Sequence, residues 1–537
     1  MSASDASPAP PPAREIVAAL AGALALAVLL TWPLALSPLT ALIGSPFGEV
    51  DNHFWMYWRD QQGPGPFSNW PAGWEIPLMD PVNRVWVQLA SPLGPVAAYN
   101  AVVFGNLVLA GVGGWALARV VTGSPHAAWV GLAATEAAPF LGGIVDFGIT
   151  EALPIGWLAL HLAAALSYLE TGRRRTLVAS GVCLAAFLAS GWYHAVFALV
   201  AEAALATRWR VSPRRFLALV AVAAVAGATR IPVLISFRAL QGLWSARFHG
   251  LEPPLPFLPD WRDAPRYGTD LLTFVLPRLD ALPVSRTVFL GFAVLLPALL
   301  TRRRWLWAPT VALLVLALGH HLRAAGHVLL PGVLPAGFAV GTIPALAGIS
   351  HWYRATGPAV VFLAAAAASG ASRFPRFCLP LAALIVAESL LLSPTAFPRH
   401  VYRPDPPAAL LALPDPGPVL ELPIDDVGTV YDPPRSRRPS NQWQVFHGHA
   451  VGENYEGPDA ALRIPGVAAL AVACGGPSPR TAPAPGVGLG AALWAAGFRT
   501  VVVYPRLTRP SCATAVAAAL GPGADHGDVI VWALGPP

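Results

Sequence analysis

The sequence contains no lysine: all 35 of its basic residues are arginine, against 29 acidic ones. Alanine, proline and glycine are abundant, the mark of a GC-rich coding bias, so the missing lysine carries no functional weight. Charge as a whole is scarce. Charged residues make up 12% of 537 and hydrophobic residues 55%, whereas a soluble domain carries about 25% charged residues. That excludes an ordinary soluble globular protein, and the apolar content argues against long disorder. Cysteine is scarce too. None of the four, Cys183, Cys378, Cys474 and Cys512, lies in a C-x-x-C pair, so neither a zinc site nor a thioredoxin motif is indicated. Walker A, G-x-S-x-G and H-E-x-x-H patterns are missing as well. An ATP-driven pump, a usual serine hydrolase and a typical zinc protease are therefore unsupported.

What is present is apolar sequence in long runs. The mean hydropathy of +0.54 lies in the range of multi-pass membrane proteins. The first run, residues 16–36, is long enough to span a bilayer and longer than a signal-peptide core. Residues 1–14 are Pro- and Ala-rich and are expected to form a disordered cytoplasmic tail. Further runs predict about eleven spans between residues 15 and 393. The stretch 176–207 is divided at Gly191, where Trp192, Tyr193 and His194 interrupt it.

The arginines test this topology. Clusters at Arg173–Arg175, Arg208–Arg215, Arg302–Arg304 and Arg373–Arg376 all fall on one side of such a chain. The positive-inside rule makes that side cytoplasmic. The expected fold is a membrane all-α bundle, with large outer loops at 37–95, 238–286 and 320–354. A small α/β extracytoplasmic domain at 394–537 follows, and the expected location is a bacterial cytoplasmic membrane. In that last domain residues 419–422, 500–504 and 529–534 read as strands, and 513–520 as a helix stopped by Gly521. If it is extracytoplasmic, Cys474 and Cys512 are candidates for a disulfide.

Long outer loops are where function is expected. The first holds Gly48-Glu49-Val50-Asp51-Asn52-His53-Phe54-Trp55-Met56-Tyr57-Trp58. A helix there puts Asp51, Trp55 and Trp58 on one face. A carboxylate at a membrane surface can act as a general base or hold a divalent cation; the plain alternative is an interfacial helix with Trp anchors. Asp146 and Glu151 form a second acidic group in a short outer turn. Asp80 lies in an Asp-Pro turn. Glu136 is an intramembrane carboxylate, rare and costly, for which Arg230 is a distant candidate partner. Histidines concentrate outside, among them His53, His194, His249, His320 and His351. His194 and the His351-Trp352-Tyr353-Arg354 segment sit where phosphate groups at a membrane surface would be bound. Tail residues Glu421, Asp425, Asp426, His447, His449 and Glu453 are candidates for an acceptor site or plain surface polar groups.

The order of these features resembles the GT-C superfamily of polytopic membrane glycosyltransferases. The resemblance is closer to a group of largely uncharacterised bacterial membrane proteins with GT-C-like architecture. Gly48, Asp51, Trp55 and Trp58 look like that group's first-loop signature, with Glu49 and Asp51 both open as the acidic counterpart. Ala98-Tyr99-Asn100, Gly291, Arg354, Val419-Leu420-Glu421-Leu422-Pro423 and Gly497-Phe498-Arg499-Thr500-Val501-Val502-Val503 are similar in order along the chain. The resemblance implies transfer of a sugar from a polyprenyl-phosphate donor to an acceptor on the outer face. It implies Asp51 as catalytic residue or metal ligand, with Mg or Mn the candidate ion, and Asp146 or Glu151 assisting. Arg354, with His351, would neutralise the lipid phosphate, and His194, Trp55 and Trp58 would contact substrate. The alternatives are a lipid or glycan transporter or flippase, which predicts polar residues along several spans, and a non-catalytic scaffold with a periplasmic binding domain.

Overall fold

The apolar runs fold as helices, and proline and glycine set their ends. The computed structural model describes residues 11–46, 48–63, 70–71, 80–191, 193–207, 212–231, 268–277, 287–342, 351–413, 417–423, 439–452, 460–474 and 488–536. Helix α1 is Ala13–Leu30, α2 Val50–Gln61, α3 Arg84–Ala90 and α4 Pro95–Thr122. Pro95 occupies the first turn of α4, where its missing N–H costs nothing, and Gly123 closes the helix in the left-handed region. Helix α5 (Pro125–Glu136) is capped by the Ser124 side chain accepting from Ala127 N–H. Pro139 interrupts the run, so α6 (Pro139–Phe147) starts afresh and the apolar segment 125–147 is two helices in line.

Then come α7 (Ile155–Thr171), α8 (Arg174–Ala189), α9 (His194–Ala206), α10 (Pro213–Ala228), α11 (Phe292–Leu299), α12 (Trp307–Ala317), α13 (Pro335–Thr342), α14 (Thr356–Ala371) and α15 (Cys378–Leu392). Helices α8 and α9 are separate, with the break beside Gly191. Among the described residues five segments are long and apolar enough to cross a membrane: 13–30, 95–122, 125–147, 150–171 and 375–392. Shorter apolar helices at 194–206 and 304–317 accompany them. Helix α1 exposes Ile16, Val17, Leu20, Leu24 and Val28, a stripe that water would penalise and lipid would not. Alanine-rich α14 is buried over nearly its whole length. Its small side chains let neighbouring helices approach closely.

Two arginine clusters meet. Arg215 at the start of α10 donates to the Leu169 and Glu170 carbonyls at the end of α7 (2.8 and 2.9 Å), next to Arg173–Arg175, where a cation favours the helix dipole. Two intramembrane glutamates have local partners. Glu388 accepts from the Phe292 and Ala293 N–H groups at 2.6 and 2.7 Å, capping α11. Glu202 pairs with His161 Nε2 at 2.8 Å.

A short antiparallel ladder of β1 (Leu42–Ile43) and β4 (Val401–Tyr402) ties the chain after α1 to the chain after α15. Strands β2 (Leu322–Ala324) and β3 (His327–Leu330) form a hairpin in the 320–354 loop. The tail builds a four-stranded sheet in the order β5-β6-β8-β7. Its strands are β5 (Val419–Leu422), β6 (Thr500–Val503), β7 (Ala524–Asp525) and β8 (Ile530–Ala533), with β5 and β6 parallel and the other pairs antiparallel.

Period-2 alternation covers both faces of the sheet. Leu420, Leu422, Val501 and Val503 pack with α18 (Val467–Ala473), α19 (Leu489–Ala495) and α20 (Ser511–Leu520). Val419, Val502 and Tyr504 face α16 (Ala408–Leu411) and α17 (Pro439–His447). Cys474 and Cys512 are joined in a disulfide 38 residues apart in sequence, tying the end of α18 to the start of α20. Reducing it is expected to cost the tail about 2–4 kcal/mol. An unfolding midpoint unchanged by reductant would show that this cross-link does not constrain the chain.

Candidate functional site

Helix α2 is the centre of the site because both its faces are buried. Gly48 and Gly148 bring its start against the end of α6. A Cβ on Gly48 would lie 2.3 Å from the Phe147 carbonyl oxygen, and Gly148, at φ +84°, would set one 2.5 Å from Val50 N. The Glu49 N–H donates to the Phe147 carbonyl at 2.6 Å. This places the first acidic group beside the second.

One face of α2 carries Glu49, His53 and Tyr57, each four residues apart. His53 Nε2 lies 3.2 Å from Glu151 Oε2 and 3.7 Å from Glu49 Oε2. Glu151 Oε1 pairs with an Arg354 terminal nitrogen at 2.7 Å. Arg354 also donates to the Tyr193 hydroxyl at 2.8 Å and sits 4.9 Å above that ring. His53 Nδ1 is 2.7 Å from Thr150 Oγ1, which donates to Asp80 Oδ2 at 3.0 Å. The Tyr57 hydroxyl lies 2.5 Å and the Asn83 amide 2.8 Å from the same Asp80 oxygen. Asn106 supports Asn83 at 2.8 Å.

All these groups but the half-buried Glu49 are buried, so their charges are set by one another. Burial works against a charged His53, but the Glu151, Glu49 and Asp80 carboxylates outweigh it and raise its pKa. Burial pushes Asp80 up to about 6 against the pull of His53 and Tyr57. Arg354 is held more firmly cationic than usual, because Glu151 and the Tyr193 ring outweigh the cost of burying it. The result is one line of polar contacts, Arg354–Glu151–His53–Thr150–Asp80, between the bundle and the first outer loop.

The opposite face carries Asp51, Trp55 and Trp58 and meets the tail. Tyr402 donates to Asp51, and Trp55 donates to Gln444 on α17. Trp58 is 9% exposed. Asp146 accepts from His400 at 2.8 Å. His400 and Tyr402 are two residues apart in extended chain, so they present one face. The two acids most prominent in the sequence are therefore both bonded from one short stretch of chain. Among the described residues no three His, Cys, Asp or Glu side chains are grouped to hold a metal ion. Among the described residues the donor set does not fit a divalent ion.

His194 is 2% exposed and bonded to Ser190 at 2.9 Å, and Arg230 is near enough for its charge to act on it. His351 is half-buried against Tyr353. Glu136 does not meet Arg230. Among the described residues no hydrogen bond reaches its carboxyl, and it lines a small cavity shared with Arg399 and Ser389. Arg399 lies at the start of the 394–537 segment and is absent from the sequence-based candidates. Its position three residues before Tyr402, in Arg-His-Val-Tyr, was the available signal. Tyr57, Thr150 and Tyr193 were also missed, although the Glu49–His53–Tyr57 spacing marks a helical face. Asp425, Asp426, Glu453, His249 and most of the 238–286 loop lie outside the described residues.

No protein-family model and no curated protein matches the sequence. The solved structures similar to the chain include two of ArnT from Cupriavidus metallidurans. The apo structure shares 12% identity at a TM-score of 0.49, and the structure bound to undecaprenyl phosphate shares 16% at 0.47. Each covers 96% of this chain and 97% of its own.

Proposed function

We propose that the chain is a multi-pass membrane glycosyltransferase. It moves a sugar from a polyprenyl-phosphate donor to an acceptor hydroxyl at the outer face of a bacterial cytoplasmic membrane. The reading rests on the resemblance in sequence, and one observation of geometry carries it. Arg354, Glu151 and His53 form a buried charged line on one face of α2, while Asp51, on its other face, and Asp146 are each bonded from the tail segment, by Tyr402 and His400. In the reaction the acceptor oxygen bonds to the sugar's anomeric carbon as the carbon–oxygen bond to the lipid phosphate breaks. Asp51 takes the acceptor's proton. The phosphate leaves with its added charge facing Arg354, whose guanidinium can exchange Glu151 for phosphate oxygens. Asp146, Glu151 and His194 hold these groups in place. His351 lies on the approach to Arg354, with Trp55 and Trp58 behind Asp51.

The test is sugar transfer by the purified protein in liposomes, from polyprenyl-phosphate-linked sugars. Asp51→Asn keeps the acceptor oxygen for Tyr402 and removes the base. Transfer is expected to fall at least about a hundredfold with the unfolding midpoint unchanged. Transfer retained at wild-type rate would sink the role given to Asp51.

A second reading has its own observation. Tyr402 and His400 cap both acids from the tail side, which is also how a non-catalytic scaffold would dock its outer domain. That reading expects Asp51→Asn to loosen the tail and no sugar transfer from any donor.

A further inference from the structure

At the arginine-rich end of the bundle the packing leaves a gap. Pro297 lies inside α11, and the helix stops at Leu299. Gly370 of α14 holds that end close, since a Cβ there would fall 1.8 Å from the Pro297 carbonyl oxygen. The Thr301 hydroxyl adds a bond to Ser369 at 2.9 Å. Helix α15 begins only at Cys378, after a turn through Phe374 and Phe377. Between the three helix ends lies an apolar cavity of about 290 Å³, lined by Pro297, Leu300, Ala371, Phe374, Phe377 and Leu381. That is many times the ~30 Å³ share of a water, and its walls offer water no partners. Its rim is cationic. Arg302, Arg303 and Arg304 follow one lining segment, and Arg373 and Arg376 lie within the other, all of them exposed. Arg376 stacks 4.9 Å over the Phe377 ring. The two lining turns, residues 301–304 and 372–377, contain no acidic residue.

We infer that this cavity is a binding site for one anionic phospholipid of the cytoplasmic leaflet, with an acyl chain between α11, α14 and α15 and its phosphate on Arg373 and Arg376. Shape and charge select the occupant together. The walls accept only hydrocarbon, and the rim favours a negative headgroup, which anionic cytoplasmic leaflets supply. The inference rests on the membrane reading of the fold and is independent of the proposed reaction.

The experiment is native mass spectrometry of the full chain from nanodiscs of nine parts phosphatidylcholine to one part phosphatidylglycerol. Wild type is expected to retain phosphatidylglycerol well above its share of the bilayer. Arg373→Gln/Arg376→Gln should lower that preference roughly 30-fold, the effect of two arginines at a membrane surface. Leu381→Trp should fill the cavity and lose the retained lipid. Arg174→Gln/Arg175→Gln removes two exposed arginines at the start of α8 and should leave the preference intact. No enrichment in wild type, enrichment surviving in the Arg373/Arg376 variant, or equal loss in the Arg174/Arg175 variant would each overturn the site.

Discussion

Arg354→Gln is expected to destabilise the fold by about 3–5 kcal/mol, and Glu151→Gln by a similar amount. The two charges are 7% and 5% exposed and 2.7 Å apart, so water screens neither. Removing the guanidinium leaves Glu151 with His53 alone. Removing the carboxylate leaves Arg354 and His53 as two buried cations, offset by Glu49, 3.7 Å from His53, and by Asp80. The cost comes mainly from the stranded partner and not from the lost bond. The double variant Glu151→Gln/Arg354→Gln should therefore be more stable than the sum of the singles implies, by up to about 3 kcal/mol. Arg354→Lys should recover only part of the loss, because an ammonium is more strongly hydrated than a guanidinium and costs more to bury beside Glu151. The measurement is reversible unfolding in mixed micelles, followed by circular dichroism. Single-variant costs below about 1 kcal/mol, the range of solvated pairs, would mean that the line from Arg354 to Asp80 is open to water.

The pair also marks how far the sequence could be read. Arg354 and Glu151 were both candidates, each for its place beside a span, yet nothing in the chain joins positions 203 residues apart. Local signals were more legible. Proline and glycine marked the ends of α4, α5 and α7. Runs of β-branched and leucine residues marked β5 and β6, because strands covered on both faces need apolar residues at every position. Helical spacing placed Asp51 and Trp55 on one face of α2. What that face would meet was not legible, since Tyr402 and Gln444 lie more than 340 residues on. Arg230, the other deep charge, was the candidate partner of Glu136, and the two do not meet. The structure sets Arg399, from beyond the last span, on the cavity beside Glu136. Charge counting along a chain tells which side an arginine is on, and it cannot tell which helix end the arginine folds back against.

Glu421→Gln should stabilise the tail by about 3 kcal/mol above pH 8 and by nothing below pH 4. Glu421 lies on β5 with its side chain turned toward α17, where Tyr504 donates to it and His447 Nε2 sits 3.9 Å away. Burial raises its pKa from 4.5 to about 7, against the pull of the Tyr504 hydroxyl. A carboxyl raised on folding contributes stability that is complete below its unfolded value and is lost as pH rises through the folded one. At about 1.4 kcal/mol for each pH unit between the two values, the loss approaches 3 kcal/mol. Glutamine keeps an oxygen for Tyr504 and removes the charge, so the difference between variant and wild type isolates this group. His447 works in the opposite sense. Burial, then the nearby His449, lowers it to about 3, so its contribution is present above pH 6.5 and lost as pH falls toward 3. In wild type the two trends oppose each other between pH 4.5 and 6.5 and flatten the profile. In Glu421→Gln only the histidine's remains, and stability should climb across that range. A pH series of tail unfolding followed by near-ultraviolet circular dichroism reads both curves. Parallel profiles would mean that Glu421 titrates in water and that α17 does not close over the sheet. Because Gln444 of α17 also holds Trp55 on α2, a tail loosened above pH 7 would be felt at Asp51 one turn away.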